Sequence, residues 1–277
     1  MLRFFNTSPG GGIGRHKGLK IPRQKCHAGS SPAPGTNIMI KVNVTNIVHW
    51  SDRTFSIKTT RDESFRFESG EFAMIGMMSD KYKKNVIRAY SVVSPPWAEN
   101  LEFLSIKNVG PLTNELSNVK VGDELVLLPK TTGTLRNAFL SPGGKRLLLL
   151  ATGTGLAPFM STIRDLDIIE SFDSIQLVHS VRNRDDLAYN KELSSIFEEE
   201  PDIHELLKDK LIYTPLVTGE GDQRIDNRFI ESGDRVMACG NMQFNYDVVE
   251  WCKDLGMTEG SNRDTGEFVI EKAFVDQ

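Results

Sequence analysis

The stretch Leu147-Leu148-Leu149-Leu150-Ala151-Thr152-Gly153-Thr154-Gly155-Leu156-Ala157-Pro158 sets the architecture of the second half of this chain. Lys145 to Ala151 reads as a strand, and its apolar run Leu147–Leu150 is the pattern of a strand buried on both faces. Glycines follow, and a helical pattern begins at Leu156, with Pro158 early in the helix where proline is tolerated. A strand that passes through a Gly-rich turn into a helix presents unpaired backbone N–H groups above the strand end. A phosphate suits that geometry. The spacing is not GxGxxG, because Pro158 stands where a third glycine would be. A tight turn without a ligand is therefore the competing reading at this point.

Beyond the turn, strand and helix patterns alternate. Helix is expected over Leu156–Ile169, Leu187–Glu199 and Gln243–Leu255, and strand over Ile175–Val181, Lys210–Pro215 and Val236–Cys239. This alternation predicts a parallel sheet covered by helices on both faces. The second strand ends His179-Ser180-Val181-Arg182-Asn183-Arg184. An acidic residue there suits the ribose hydroxyls of NAD, whereas arginines suit the extra phosphate of NADP. Arg182 and Arg184 thus favour NADP. Asp185 and Asp186 follow at once, so the alternative is a solvated charge run that pairs with itself.

Before Ser141-Pro142-Gly143-Gly144, which marks the domain boundary, the pattern is different. Short alternating segments occur at Ile40–Val44, Thr54–Lys58, Ala89–Val93, Leu101–Ile106 and Glu124–Leu128. Two apolar stretches lie between Phe65 and Met78, split by Ser69-Gly70. Strands at this spacing predict a small antiparallel barrel, with a β-sandwich as the alternative. Within it, Arg88-Ala89-Tyr90-Ser91 combines a forked cation for a phosphate, a flat aromatic face for a ring such as isoalloxazine, and a hydroxyl. Gly110-Pro111-Leu112-Thr113 reads as a turn into a short helix whose start could meet a pyrophosphate.

The chain has 277 residues, enough for two domains. No apolar run approaches the roughly 20 residues of a spanning helix. The cysteines, Cys26, Cys239 and Cys252, form no CxxC pair. A thiolate-held metal centre and a disulfide framework are not expected, which fits the cytoplasm. The net charge is −4, but six of the 33 Lys/Arg and none of the 37 Asp/Glu precede Met39. The remainder is strongly acidic, which argues against general nucleic-acid binding.

Residues 1–38 lack periodic hydrophobicity and read as extraneous or disordered. A transit peptide and a flexible tail are alternatives. Gly11–His16, Gly18–Pro22 and Gly29–Pro32 can be back-translated, in that order, to resemble the D-arm, anticodon arm and T-arm of a leucine transfer RNA. The expectation is a gene-start assignment error with the true start at Met39. The nucleotide sequence tests it.

From Met39 onward the chain resembles the ferredoxin–NADP reductases, within them the bacterial type with a C-terminal Ala-Phe. The resemblance is carried by Gly70-Glu71-Phe72, Met74-Ile75-Gly76, Arg88 to Ser91, Ser105-Ile106-Lys107, Gly110 to Thr113, Gly133-Thr134-Leu135, Gly153 to Pro158, Cys239-Gly240 and Phe268 to Val275. It implies a six-stranded antiparallel FAD-binding barrel over residues 39–141. A five-stranded parallel-sheet NADP-binding domain over 142–277 would follow, its tail covering FAD. It also implies a monomer that exchanges electrons with ferredoxin or flavodoxin.

For FAD the resemblance implies Arg88, Ala89, Tyr90, Ser91, Ser105, Ile106, Lys107, Gly110, Pro111, Leu112 and Thr113. Ala273 would cover the flavin face opposite Tyr90, and Phe274 would lie by the adenine. For NADP it implies Thr152, Gly153, Thr154, Gly155, Pro158, Arg182, Cys239 and Gly240, with Arg184 or Arg224 as second contacts to the 2′-phosphate. Ser91, Cys239 and Glu271 would act at the reacting rings. Two departures are the short end after Phe274 and Gln223 before Arg224, where the family usually has Gly. Lys81, Lys83 and Lys84 are the expected docking cations for an acidic carrier, with a solvated loop as the alternative. A flavin reductase component of an oxygenase and a non-enzymatic FAD-binding redox sensor are the competing functions.

Overall fold

The computed structural model describes residues 39–79, 83–107 and 110–271. Lys81, Ala273 and Phe274 lie outside these residues, as does the whole segment 1–38. The first half builds β1 (Ile40–His49), β2 (Thr54–Thr60), β3 (Phe72–Ser79), β4 (Lys84–Ser91) and β5 (Asn100–Ile106). Helix α1 (Pro111–Leu116) and β6 (Glu124–Thr132) complete it. Among the described residues these strands form one six-stranded antiparallel sheet in the order β4-β3-β6-β1-β2-β5. The sheet curls until an isolated antiparallel bridge, Val92 to Phe103, joins the continuation of β4 to β5. Curling lets one face of every strand share a single apolar interior. Val42, Val44, Phe55, Ile57, Ala73, Ile75, Tyr90, Phe103, Leu125 and Leu127 form that interior.

One expectation here is corrected. The apolar stretch from Phe65 to Met78 gives one strand, not two. Phe65 and Phe67 have no strand pairing, yet they are buried in the barrel core 6.0 Å apart, ring to ring. Their hydrophobicity reflects burial as a plug, and burial alone does not make a strand.

The second half builds β7 (Arg146–Thr152), α2 (Ala157–Thr162), α3 (Leu166–Ser171), β8 (Ser174–Val181), α4 (Asn190–Ser194) and α5 (Pro201–Leu207). β9 (Leu211–Val217), β10 (Arg235–Cys239), α6 (Met242–Asp254) and β11 (Phe268–Ile270) follow. The parallel sheet is five-stranded in the order β11-β10-β7-β8-β9. Leu147 and Leu149 of the central strand enter one core, and Leu148 and Leu150 enter the other. This is why the run has no polar alternation: both faces of β7 are covered.

The helices are shorter than their apolar patterns. Leu156–Ile169 is interrupted, because Asp165 caps a new helix by accepting from the Asp167 N–H. Over Leu187–Glu199 only α4 is α-helical; Ile196 and Phe197 take positive φ and end it. α5, which the pattern did not suggest, starts at Pro201 in its first turn.

The two sheets are joined by a set of polar and aromatic contacts. Arg164 donates to Val93 O (3.0 Å) and its own carbonyl accepts from Trp97 Nε1 (3.1 Å). Ser69 Oγ bonds Asp165 Oδ2 at 2.5 Å. Tyr189 donates to Glu102 Oε1 at 2.8 Å while its ring packs on Trp50 at 4.5 Å. Ser51 Oγ donates to Asp186 Oδ1 at 2.8 Å.

Candidate functional site

Strand β4 is at one end of the sheet order, so one of its backbone edges is unpaired along most of its length. Arg88 and Tyr90 sit opposite Ile75 and Ala73 on β3. Arg88 is exposed and donates Nη1 to Ile87 O at 2.8 Å. Tyr90 is buried with the barrel core. Burial raises its phenol pKa, against the opposing pull of a hydrogen bond with Ser105 and the charge of Arg88. The fold thus brings Arg88, Tyr90 and Ser105 together from β4 and β5. Ser91 is buried at the strand end and Ala89 is half-buried. Ile106 and Lys107 are half-buried just past them, and the Lys107 N–H donates to Arg53 O at 2.7 Å.

Gly110 is the N-cap of α1, and Pro111 occupies its first turn. Thr113 Oγ1 accepts from Gly110 N at 3.0 Å and donates to Gly110 O at 2.8 Å, which holds the turn. The side chain of Leu112 is in the barrel core.

The turn after β7 is a 3₁₀ segment, Gly153–Leu156, that runs straight into α2. Gly153 has φ +53°, a conformation that favours glycine. Among the described residues, a Cβ built on Gly153 or on Gly110 would meet no atom within 4 Å. Among the described residues, then, nothing crowds either turn, as a phosphate requires. Gly155 is the opposite case. Its Cβ would fall 2.1 Å from Cys239 O, so only glycine lets the turn press against the end of β10. Thr152 Oγ1 would be 2.2 Å from a Cβ on Gly240. Thr152, Gly153, Thr154, Gly155, Cys239 and Gly240 are thus assembled at the carboxyl ends of two adjacent strands. Pro158 is buried below them.

His179 supports this assembly, and the sequence reading did not single it out. Fully buried in β8, it bonds Gly153 O through Nε2 at 2.9 Å. Burial lowers its pKa to about 4, so the ring is neutral and the Nε2–H donates. A histidine near the carboxyl end of a largely buried strand was the available signal.

Cys239 is buried, and burial holds its thiol well above the ordinary range, with the nearby Glu271 carboxylate adding to the effect. Glu271 is buried too. Its N–H donates to Ala238 O (2.9 Å) and its carbonyl accepts from Asn245 Nδ2 (3.0 Å). Thr134 Oγ1 bonds Ile270 O at 2.5 Å, tying the barrel's Gly133–Leu135 loop to β11. On the barrel side, Val92 N donates to Glu71 O at 3.0 Å, and Gly133 packs directly against Gly70 and Glu71. A short series of contacts therefore runs from the Ser91 end of β4 to Glu271 and Cys239.

The arginines at the end of β8 differ. Arg182 and Arg224 are exposed, and among the described residues neither guanidinium has an ion pair. Arg184 is forked onto Glu220, Nε to the two carboxylate oxygens at 3.2 and 3.1 Å and Nη2 at 2.5 Å. The alternative of a self-pairing charge run is not what is found. Asp186 turns to the barrel, accepting from Ser51 and Thr54, and Asp185 is exposed. No group of acidic, histidine or cysteine residues suited to a metal occurs among the described residues. No helix among them is long and apolar enough to cross a membrane.

Comparison with known proteins agrees with this geometry. The oxidoreductase NAD-binding domain family matches residues 149–250. A flavodoxin/ferredoxin–NADP reductase of Rhodobacter capsulatus is 42% identical over 261 residues, covering 88% of this chain and 96% of that protein. A ferredoxin–NADP reductase of Azotobacter vinelandii is 40% identical, covering 84% and 97% respectively. Among solved structures, a ferredoxin NADP+ reductase from Neisseria gonorrhoeae with bound FAD and NADP superposes with TM-score 0.74 at 26% identity. It covers 84% of this chain and 98% of that one.

Proposed function

The chain belongs to the ferredoxin–NADP reductase family, and from that premise we propose how its residues divide the work. It is a flavoenzyme that passes electrons between NADP(H) and ferredoxin or flavodoxin, with FAD and NADP(H) as cofactors. The flavin supplies the chemistry, since it exchanges a hydride with nicotinamide and single electrons with a carrier. The protein binds, aligns and excludes water.

In this reading residues 39–141 hold FAD. Arg88 and the Gly110–Thr113 turn bind its phosphates, the second through backbone N–H groups at the start of α1. Tyr90 supports one face of the isoalloxazine, its hydroxyl held by Ser105, and Ser91 donates near the ring's polar edge. Ala89, Ile106 and Lys107 line the same side. Ala273 would cover the other face and Phe274 the adenine.

Residues 142–277 hold NADP(H). The backbone at Thr152–Gly155, with Pro158 beneath, receives the pyrophosphate. Arg182 takes the 2′-phosphate, with Arg184 or Arg224 as the second contact. Cys239, Gly240 and Glu271 seat the nicotinamide. A thiol kept protonated by burial offers a neutral wall there, where a thiolate would offer a nucleophile.

The observation that carries this reading is the junction of Gly155 with Cys239, coupled through Ile270 and Thr134 to the barrel. Two rings must meet for a hydride to pass, and this is where the two strand-end sites converge. The test is direct. Purified protein should be yellow, and NADPH should bleach it anaerobically much faster than NADH. NADPH oxidation should be faster with ferredoxin or flavodoxin than with free flavin. Absence of bound flavin would sink the reading; preference for free flavin would favour an oxygenase reductase component.

We further place the protein in the cytoplasm as a monomer, with Lys83, Lys84 and Lys81 as docking cations for an acidic carrier. Charge reversal at all three should raise the apparent KM for ferredoxin and leave that for NADPH unchanged. An equal effect on both would remove these lysines from the docking surface.

A further inference from the structure

The Arg184–Glu220 fork is an exposed ion pair, and exposed pairs contribute little to stability. Its position is nevertheless built in. Glu220 ends the 3₁₀ turn Thr218–Glu220 that follows β9. That turn lies across the end of β8: Gly219 N donates to Arg182 O at 2.9 Å, and Thr218 Oγ1 donates to Val181 O at 3.2 Å. A Cβ on Gly219 would fall 2.4 Å from Arg182 O, so glycine is what allows this approach. The Glu220 carboxylate is thereby anchored beside the strand end that carries Arg182, which has no ion pair among the described residues.

Of the neighbouring carboxylates only Asp222 also acts on Arg184, through its charge and as a smaller effect than Glu220. Asp186 accepts from Ser51 on the barrel, Asp222 accepts from Val217 N at 2.7 Å, and Asp185 is exposed without an ion pair among the described residues. Glu220 alone among them presents two oxygens to an arginine fork. A carboxylate offers a guanidinium the same paired-oxygen geometry as a phosphate. We propose that Glu220 is a built-in competitor for the 2′-phosphate: it occupies the Arg184 donors that the phosphate would take, and so sets how strongly this site separates NADP(H) from NAD(H).

The proposal rests on the assignment of the 2′-phosphate to the end of β8. In it, Arg182 makes the first contact, and Arg184 joins only as Glu220 is displaced. Affinity for the phosphorylated cofactor is held below what two free arginines would give. Cofactors without the 2′-phosphate do not meet this competition.

The test compares binding of 2′,5′-ADP and 5′-ADP to the FAD-loaded protein by titration calorimetry. Glu220→Gln is expected to tighten 2′,5′-ADP by about 2- to 5-fold, the upper range of what releasing an exposed ion pair is worth, and to leave 5′-ADP unchanged. Adding Arg184→Ala should remove that gain, giving a coupling that independent sites would not show. Misfolding cannot produce tighter binding, so the expected direction guards against a trivial result. Unchanged or weaker 2′,5′-ADP binding in Glu220→Gln overturns the proposal. So does a gain that survives Arg184→Ala, because it would then be a general field effect. The underlying assignment is judged separately by Arg182→Ala, which must weaken 2′,5′-ADP selectively; if it does not, the phosphate is bound elsewhere.

Discussion

The β4 edge and the turn after β7 both serve as candidate phosphate-and-ring sites, yet they are built on opposite principles. On β4 the groups are side chains, the exposed Arg88 and the buried Tyr90 and Ser91, carried on the end strand of a sheet whose other strands supply a rigid backing. After β7 the groups are backbone, Gly153 to Gly155, and what matters is what presses on them from below and beside: His179 and Cys239. The first site should tolerate changes around it and fail when its own side chains are cut. The second should fail when a methyl group is added or a buried support removed.

The sharpest way to break this comparison is Gly155→Val. With the first added carbon already 2.1 Å from Cys239 O, the turn and β10 must part. A loss of about 3 kcal/mol, the upper end of what overpacking usually costs, is expected, read as NADP+ binding weakened roughly 100-fold with FAD content retained. Joint loss of both cofactors would show that the two sites are not separable.

Next in size is His179. Its folded pKa of about 4 lies below the ordinary 6.5, so the unfolded chain takes up the proton first as pH falls. Its contribution is fully present above about pH 6.5 and is lost on the way down to pH 4. The expected loss is about 2 kcal/mol by pH 5 and about 3 kcal/mol by pH 4. Equilibrium unfolding of wild type and His179→Gln across this range should show a pH-dependent difference with that sign. Parallel curves would remove the buried neutral histidine from the account.

Tyr90→Ala should cost FAD about 1–3 kcal/mol, roughly 5- to 150-fold in affinity, by the usual worth of an aromatic platform under a flat ring. NADP+ analogue binding should not change. Tyr90→Phe keeps the face and loses only the bond to Ser105, so its cost should be below about 1.5 kcal/mol. The smallest effect should come from Thr134→Val, which removes the hydrogen bond to Ile270 between the sites. About 1 kcal/mol is expected, seen as a severalfold slower flavin reduction in stopped flow with both binding constants unchanged. A change in binding alone would make Thr134 part of one site and not the link between them.

The two sites were also legible in the sequence to different degrees. The β7 turn could be read locally, because a wholly apolar strand, glycines and a helix start occur within one short run. Arg88 to Ser91 could be read only as residue types. An exposed arginine and a core tyrosine look alike in sequence until β3 and β5 are set beside them. Phe65 and Phe67 misled for a related reason: side-chain hydrophobicity reports burial and is silent on backbone pairing. His179, Thr134 and Glu220 were not assigned roles because their partners, Gly153, Ile270 and Arg184, are distant in sequence and become neighbours only at strand ends.

By itself the sequence determined the two halves, their antiparallel and parallel characters, the family and the cofactor chemistry. The halves and their characters follow from periodicity, and the family and cofactors from the resemblance carried by ordered short motifs; both depend on neighbours along the chain. The tertiary structure alone decided which arginine is unpaired among the described residues and which is occupied, that His179 is neutral beneath the turn, and that Gly155 is held against Cys239. Those facts depend on desolvation and on contacts at about 2–3 Å between segments far apart in the chain, where burial and close approach set both charge state and position.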